Sequence, residues 1–201
     1  MTADSAAVEA DHRFARAVTE TFAPPVVAAA MVVAFALTGA PSLRTGVGWA
    51  LLAVLFTAAV PYAIVWAGVR RGHLTDHHIG VREQRRTPLL LGLASCLAGI
   101  GALALLGAPR ALTAAVVVLF TTGVAITAVN QLWKLSAHAA VAAASAETLV
   151  IAFGQWMTPL FLVVALVAWS RVRLGDHSPG QVVAGAIAGV ALAPPVYVLV
   201  A

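Results

Sequence analysis

Residues 111–129 read ALTAAVVVLFTTGVAITAV. The run carries no charge, and as a helix it rises about 28 Å, close to the thickness of a bilayer's hydrocarbon core. A helix on the surface of a soluble domain would set a polar stripe against an apolar one, and this run has no such stripe. Similar runs recur from end to end: Pro24 to Leu37, Gly46 to Val69, Leu89 to Leu106, a segment from Ser136 to about Phe153, one ending at Trp169, and Pro179 to the end. The 201 residues are 61% hydrophobic and 10% charged, with mean hydropathy +0.94, which excludes an ordinary soluble domain. The expected fold is all-α, a polytopic helical membrane bundle of six or seven transmembrane segments, in one domain over 1–201. Residues 1–20 are polar and mixed in charge, read as a tail or interfacial helix and not as a signal peptide. The single Cys96 excludes an internal disulfide.

Between the apolar runs lie three polar stretches: 70–88 (RRGHLTDHHIGVREQRRTP), 130–138 (NQLWKLSAH) and 170–181 (SRVRLGDHSPGQ). Two segments separate each from the next, and two separate the first from the N-terminal tail, so all of them reach one membrane face. The opposite loops hold only Arg44 and Arg110. Ionisable groups gathered on one surface from separate loops suggest an assembled site.

The groups themselves point to phosphate. His138 and His177 converge with Lys134, Arg171, Arg173 and the cations of the first loop, Arg82, Arg85 and Arg86. Arginine forks match phosphate oxygens, and helix starts at Ser136 and Ser178 offer backbone N–H groups. Arg82, Arg85 and Arg86 cannot all point inward from one turn; Arg82 and Arg86 are taken as the contacts. No metal is expected, because acids and cysteines at ligand spacing are lacking and adjacent residues such as His77 and His78 do not share a helical face. Nearly all the cation is arginine, in a few clusters, which favours anionic headgroups over nucleic acid.

These residues resemble the type-2 phosphatidic acid phosphatase family, membrane lipid phosphatases related to vanadium haloperoxidases, with motifs K-x6-R-P, P-S-G-H and S-R-x5-H-x3-D. Ser170, Arg171 and His177 match the third motif. Leu135 to His138 (LSAH) keep the Ser and His of the second. REQRRTP is a loose form of the first, with Thr87 between Arg86 and Pro88. The resemblance spans roughly residues 70–190 and implies hydrolysis of a lipid or polyprenyl phosphate or diphosphate with no cofactor. His177 would be the nucleophile forming a phosphohistidine, and His138 the acid and then the base. Arg171 and Ser136 would hold the phosphoryl group.

Two positions depart from the family pattern. Gln181 stands where the family has an aspartate one helical turn after the nucleophile, so it is expected to take over the hydrogen bond to His177 without the charge. Lys134, the chain's only lysine, is expected to replace the missing lysine of the first motif. A phosphotransferase of the same fold and an inactive lipid-phosphate-binding protein are the alternatives. Arg13, Arg16, Arg70 and Arg71 on the site face, against Arg44 and Arg110 opposite, put that face in the cytoplasm. The expected partners are the bilayer of the cell membrane and an amphiphilic phosphorylated substrate, with no reading of oligomeric state.

Overall fold

The computed structural model describes residues 3–201, with side chains from Glu9 onward. Every regular element among them is helical: α1 (Ala3–Thr21), α2 (Pro24–Gly39), α3 (Leu43–Val54), α4 (Val60–Arg70), α5 (Arg86–Leu105), α6 (Arg110–Val129), α7 (Ala137–Phe153), α8 (Leu160–Arg173) and α9 (Pro179–Val200). Five stretches are long and apolar enough to cross a membrane, and the pair α1–α2, bent by 45°, makes a sixth if counted as one span. The expected bundle is therefore present, at five or six spans where the sequence suggested six or seven. The difference is α7, which has only 17 residues. It is enclosed by α2, α6, α8 and α9, so its length need not match the bilayer.

The α7–α9 pair carries the site. Gly185 and Gly189 of α9 sit one turn apart on the face toward α7, where Ala139, Ala140, Ala143 and Ala144 are all buried. A Cβ on Gly189 would lie 2.3 Å from the Ala140 carbonyl oxygen and 2.8 Å from the Ala144 nitrogen. Both are backbone atoms, so only separation of the helices relieves the clash. Gly189→Val is expected to destabilise by on the order of 3 kcal/mol. Thermal melts in detergent check this, with Gly101→Ala as control, since a Cβ at Gly101 meets nothing within 4 Å.

Proline shapes the span across from the site. A π-helical turn, Leu55–Ala59, joins α3 to α4, and Val60 N–H bonds back to the Leu55 carbonyl. In the same register Pro61 has no N–H to offer Phe56. The Phe56 carbonyl instead accepts from Ser95 Oγ of α5 at 2.8 Å.

Candidate active site

The third polar stretch folds as a helix end that turns back on itself. Arg171 lies in the last turn of α8, and Gly175 takes φ +72°, a left-handed conformation that glycine adopts at no steric cost. The chain then reverses, and the backbone N–H groups of Asp176 and His177 both donate to the Arg171 carbonyl, at 3.1 and 3.2 Å. This return explains the S-R-x5-H spacing, because it carries His177 back beside the arginine it follows. Ser178 then caps α9.

Hydrogen bonds stitch the three loops together. Asn130, buried at the end of α6, accepts from Arg85 Nη1 at 3.0 Å and donates to the Ile126 carbonyl at 2.9 Å. Arg85 Nε donates to the Ile79 carbonyl at 2.8 Å. Ser136 N–H donates to the Gln181 carbonyl at 3.3 Å, tying the second stretch to the third. Loops 70–88, 130–138 and 170–181 thus meet at one end of the bundle, as the count of sides requires.

The convergence buries four ionisable groups: Arg171 is 1% exposed, His138 and His177 each 6%, and Arg85 7%. Arg171 Nη2 pairs with Asp176 at 3.0 Å, while its Nε and Nη1 have no protein partner among the described residues. Neither ring nitrogen of His177 makes a well-aligned hydrogen bond, although the ring faces the Leu135 carbonyl, and Nε2 of His138 is likewise unpartnered. Buried polar atoms are rarely left so, and a cluster that combines them with cations has the donors and the charge to hold an anion. Burial, together with the nearby charges of Arg171, Arg85 and Lys134, holds the His177 pKa down at about 3. The imidazole is therefore neutral at physiological pH, with a lone pair available.

That depression has a sign in stability. Above pH 6.5 His177 is neutral folded or unfolded; as pH falls toward 3 the unfolded chain takes up a proton that the folded site refuses. Stability is expected to decline over that window. His177→Gln should flatten the decline, as read from melting temperature against pH.

The site opens into a cavity of about 670 Å³. Its polar end holds His138, His177, Arg85, His78, His77 and Glu20, and its walls are apolar side chains of α2, α3, α4, α5 and α6.

Several residues lie elsewhere than the sequence suggested. Gln181 does not bond His177: its side-chain oxygen accepts from Ser178 N–H at 3.1 Å, and Ser178 Oγ accepts from Gln181 N–H at 3.4 Å. The two form a capping box on α9, a local use of the glutamine that S-P-G-Q already spells. Ser136 Oγ is spent as the cap of α7, accepting from Ala139 N–H at 3.4 Å. Arg82 stays at the rim, donating to the Gln131 carbonyl and pairing with Glu83, and Arg86 is exposed. Arg85 is the inward cation, because the 3-10 turn Arg82–Arg85 sets its first and last residues toward loop 130–135 and leaves Arg86 to open α5. Lys134 lies half-buried close to the cluster, its pKa lowered by burial and by Arg85. Sequence reading does not single out Asp176, Asn130 and Glu20 for the site, and it counts Arg85 among the converging cations while giving the contact to Arg82 and Arg86.

Comparison with known families bears on the loops just described. Residues 129–201 match the family model of the PAP2 superfamily. The PAP2 match takes in Lys134, Ser136, His138, Arg171 and His177, and leaves the first polar loop outside it. No curated protein and no solved structure matches the chain. PAP2 proteins are in general phosphatases, so phosphoester hydrolysis is the chemistry supported for this multi-pass membrane protein.

Proposed function

We propose that the protein hydrolyses a lipid or polyprenyl phosphate at the membrane interface, through a phosphohistidine on His177. The observation that carries this reading is the union of two environments in one cavity. His138 and His177, buried and with unpartnered nitrogens, occupy one end with the Arg85 guanidinium, and apolar helix faces line the rest. An anionic headgroup joined to a hydrocarbon chain matches both.

In the first step a neutral His177 nitrogen attacks phosphorus. An N–P bond forms, the ester P–O bond breaks, and the leaving oxygen takes a proton that His138 acquires when the bound phosphate dianion brings its negative charge into the site. In the second step His138 takes a proton from water, whose oxygen attacks phosphorus as the N–P bond breaks and the electron pair returns to His177. Arg171 Nε and Nη1, with Arg85, neutralise the charge on the equatorial oxygens. Asp176 pairs with Arg171 through Nη2. We place the site face in the cytoplasm, on the arginine asymmetry described above.

The test is phosphate release by the purified protein in detergent with a chelator present, across prenyl and glycerolipid phosphates. Release that depends on His177 supports hydrolysis. Product appearing only with an acceptor lipid favours a phosphotransferase, and binding without turnover favours an inactive receptor. Lys134→Met is expected to raise KM about tenfold, the effect of losing one charged contact to phosphate. An unchanged KM and turnover would leave Lys134 as an interfacial cation.

A further inference from the structure

Two histidines adjacent in sequence turn the same ring nitrogen onto one carboxylate. His77 Nε2 lies 3.0 and 3.2 Å from the two oxygens of Glu20, and His78 Nε2 lies 3.0 Å from one of them. The three ligand-type atoms all fall within 4.8 Å of one another. On a helix, neighbours would diverge. This segment is a turn built for convergence. Asp76 spends its carboxylate on the backbone, accepting from His78 N–H at 2.8 Å and Gly80 N–H at 3.0 Å. Ile79 takes φ +49°, a costly conformation for a β-branched residue. The result sets the two imidazole rings 4.2 Å apart, both reaching Glu20.

The helix that carries the carboxylate is also fixed in place. Glu20 stands in the last turn of α1, which is fixed to α8 by the bond between Thr19 and Ser170 at 3.0 Å, by Phe14 against Trp169 and by the Asp11–Arg173 pair. A simple ion pair would need one histidine. Two imidazole nitrogens and one carboxylate are the donor set of an open zinc site, which keeps a further position for water or substrate. Two ligands of a tetrahedral ion at about 2.0 Å stand roughly 3.3 Å apart. The nitrogen–oxygen separations of 3.0 to 3.2 Å are close to that spacing.

We propose that Glu20, His77 and His78 bind one divalent first-row cation of the zinc class at the mouth of the cavity. All three ligands line that cavity, and the His78 ring lies 5.2 Å from the ring of His138. The bound ion clamps α1 to the loop between α4 and α5, and its remaining coordination position opens onto the space proposed for the headgroup. The hydrolytic steps above run without it, so the cation is an accessory to the site.

The experiment uses the full chain without a histidine tag, stripped with a chelator and desalted in detergent. Zinc is titrated against a chromophoric competitor, and cobalt is added separately for its visible spectrum. One equivalent of zinc and an intense tetrahedral cobalt band are expected. Glu20→Gln and His77→Ala should each weaken binding at least tenfold, while His73→Ala should not. Both ligand positions are exposed, so His77→Ala in particular leaves the fold intact. His177→Ala should keep the full equivalent, which separates failure of the metal site from failure of the phosphatase reading. No bound equivalent in the wild-type chain, or an equivalent that survives both Glu20→Gln and His77→Ala, would overturn the proposal.

Discussion

Replacing His177 by alanine is expected to abolish phosphate release, lowering kcat/KM by at least about a thousandfold. The size follows from its role. A missing nucleophile removes the covalent path altogether, whereas a missing contact only weakens one. Alanine also removes a buried, neutral and unpartnered ring, so the variant should fold at least as well near neutral pH. Wild-type-like melting with lost turnover is the expected pair of results. Equal loss of both would instead make His177 a packing residue.

Arg171→Ala should rank second, with kcat lower by about a hundredfold to a thousandfold, the range for removing one buried donor to a transition-state anion. The change also strands Asp176, whose ion partner among the described residues is Arg171 at 3.0 Å. Arg171→Lys is informative for the same reason. A lysine could answer Asp176 with its single charge, but it has no planar fork to offer phosphate at the same time. Folding should recover in Arg171→Lys while turnover stays low, as measured by melting temperature beside steady-state kinetics. Recovery of both would reduce Arg171 to a partner for Asp176.

Much of this site is legible in the sequence because membrane topology does the sorting. Apolar runs of spanning length leave few places for charge, and counting crossings puts loops 70–88, 130–138 and 170–181 on one face. Arg171 and His177 are legible together, since their spacing is that of a helix end and its return through Gly175. What the sequence conceals is set by local competition for hydrogen bonds. Gln181 could face His177 or cap its own helix; Ser178, three residues earlier, offers the nearer partner and wins. The choice among Arg82, Arg85 and Arg86 depends on a short 3-10 turn whose phase no periodicity reveals. Glu20 and Asp176 are hidden for a different reason. Glu20 meets residues 57 and 58 positions away, and Asp176 pairs backward across a turn with the arginine five residues before it.

The shortened α7 has a related lesson. An apolar segment of 17 residues is at the short limit for spanning, yet it is the helix the others surround. Its alanines and the facing Gly185 and Gly189 let it approach α9 closely enough to set His138 and His177 at the end of one cavity.

The most direct measurement is to look for the covalent intermediate. The protein is mixed with a ³²P-labelled lipid phosphate, quenched at alkaline pH where a phosphorus–nitrogen bond survives, and digested for peptide mapping. Label should appear on the peptide containing His177 and be absent from His177→Ala. Turnover of the substrate with no label at His177, or label on any other residue, would contradict the mechanism.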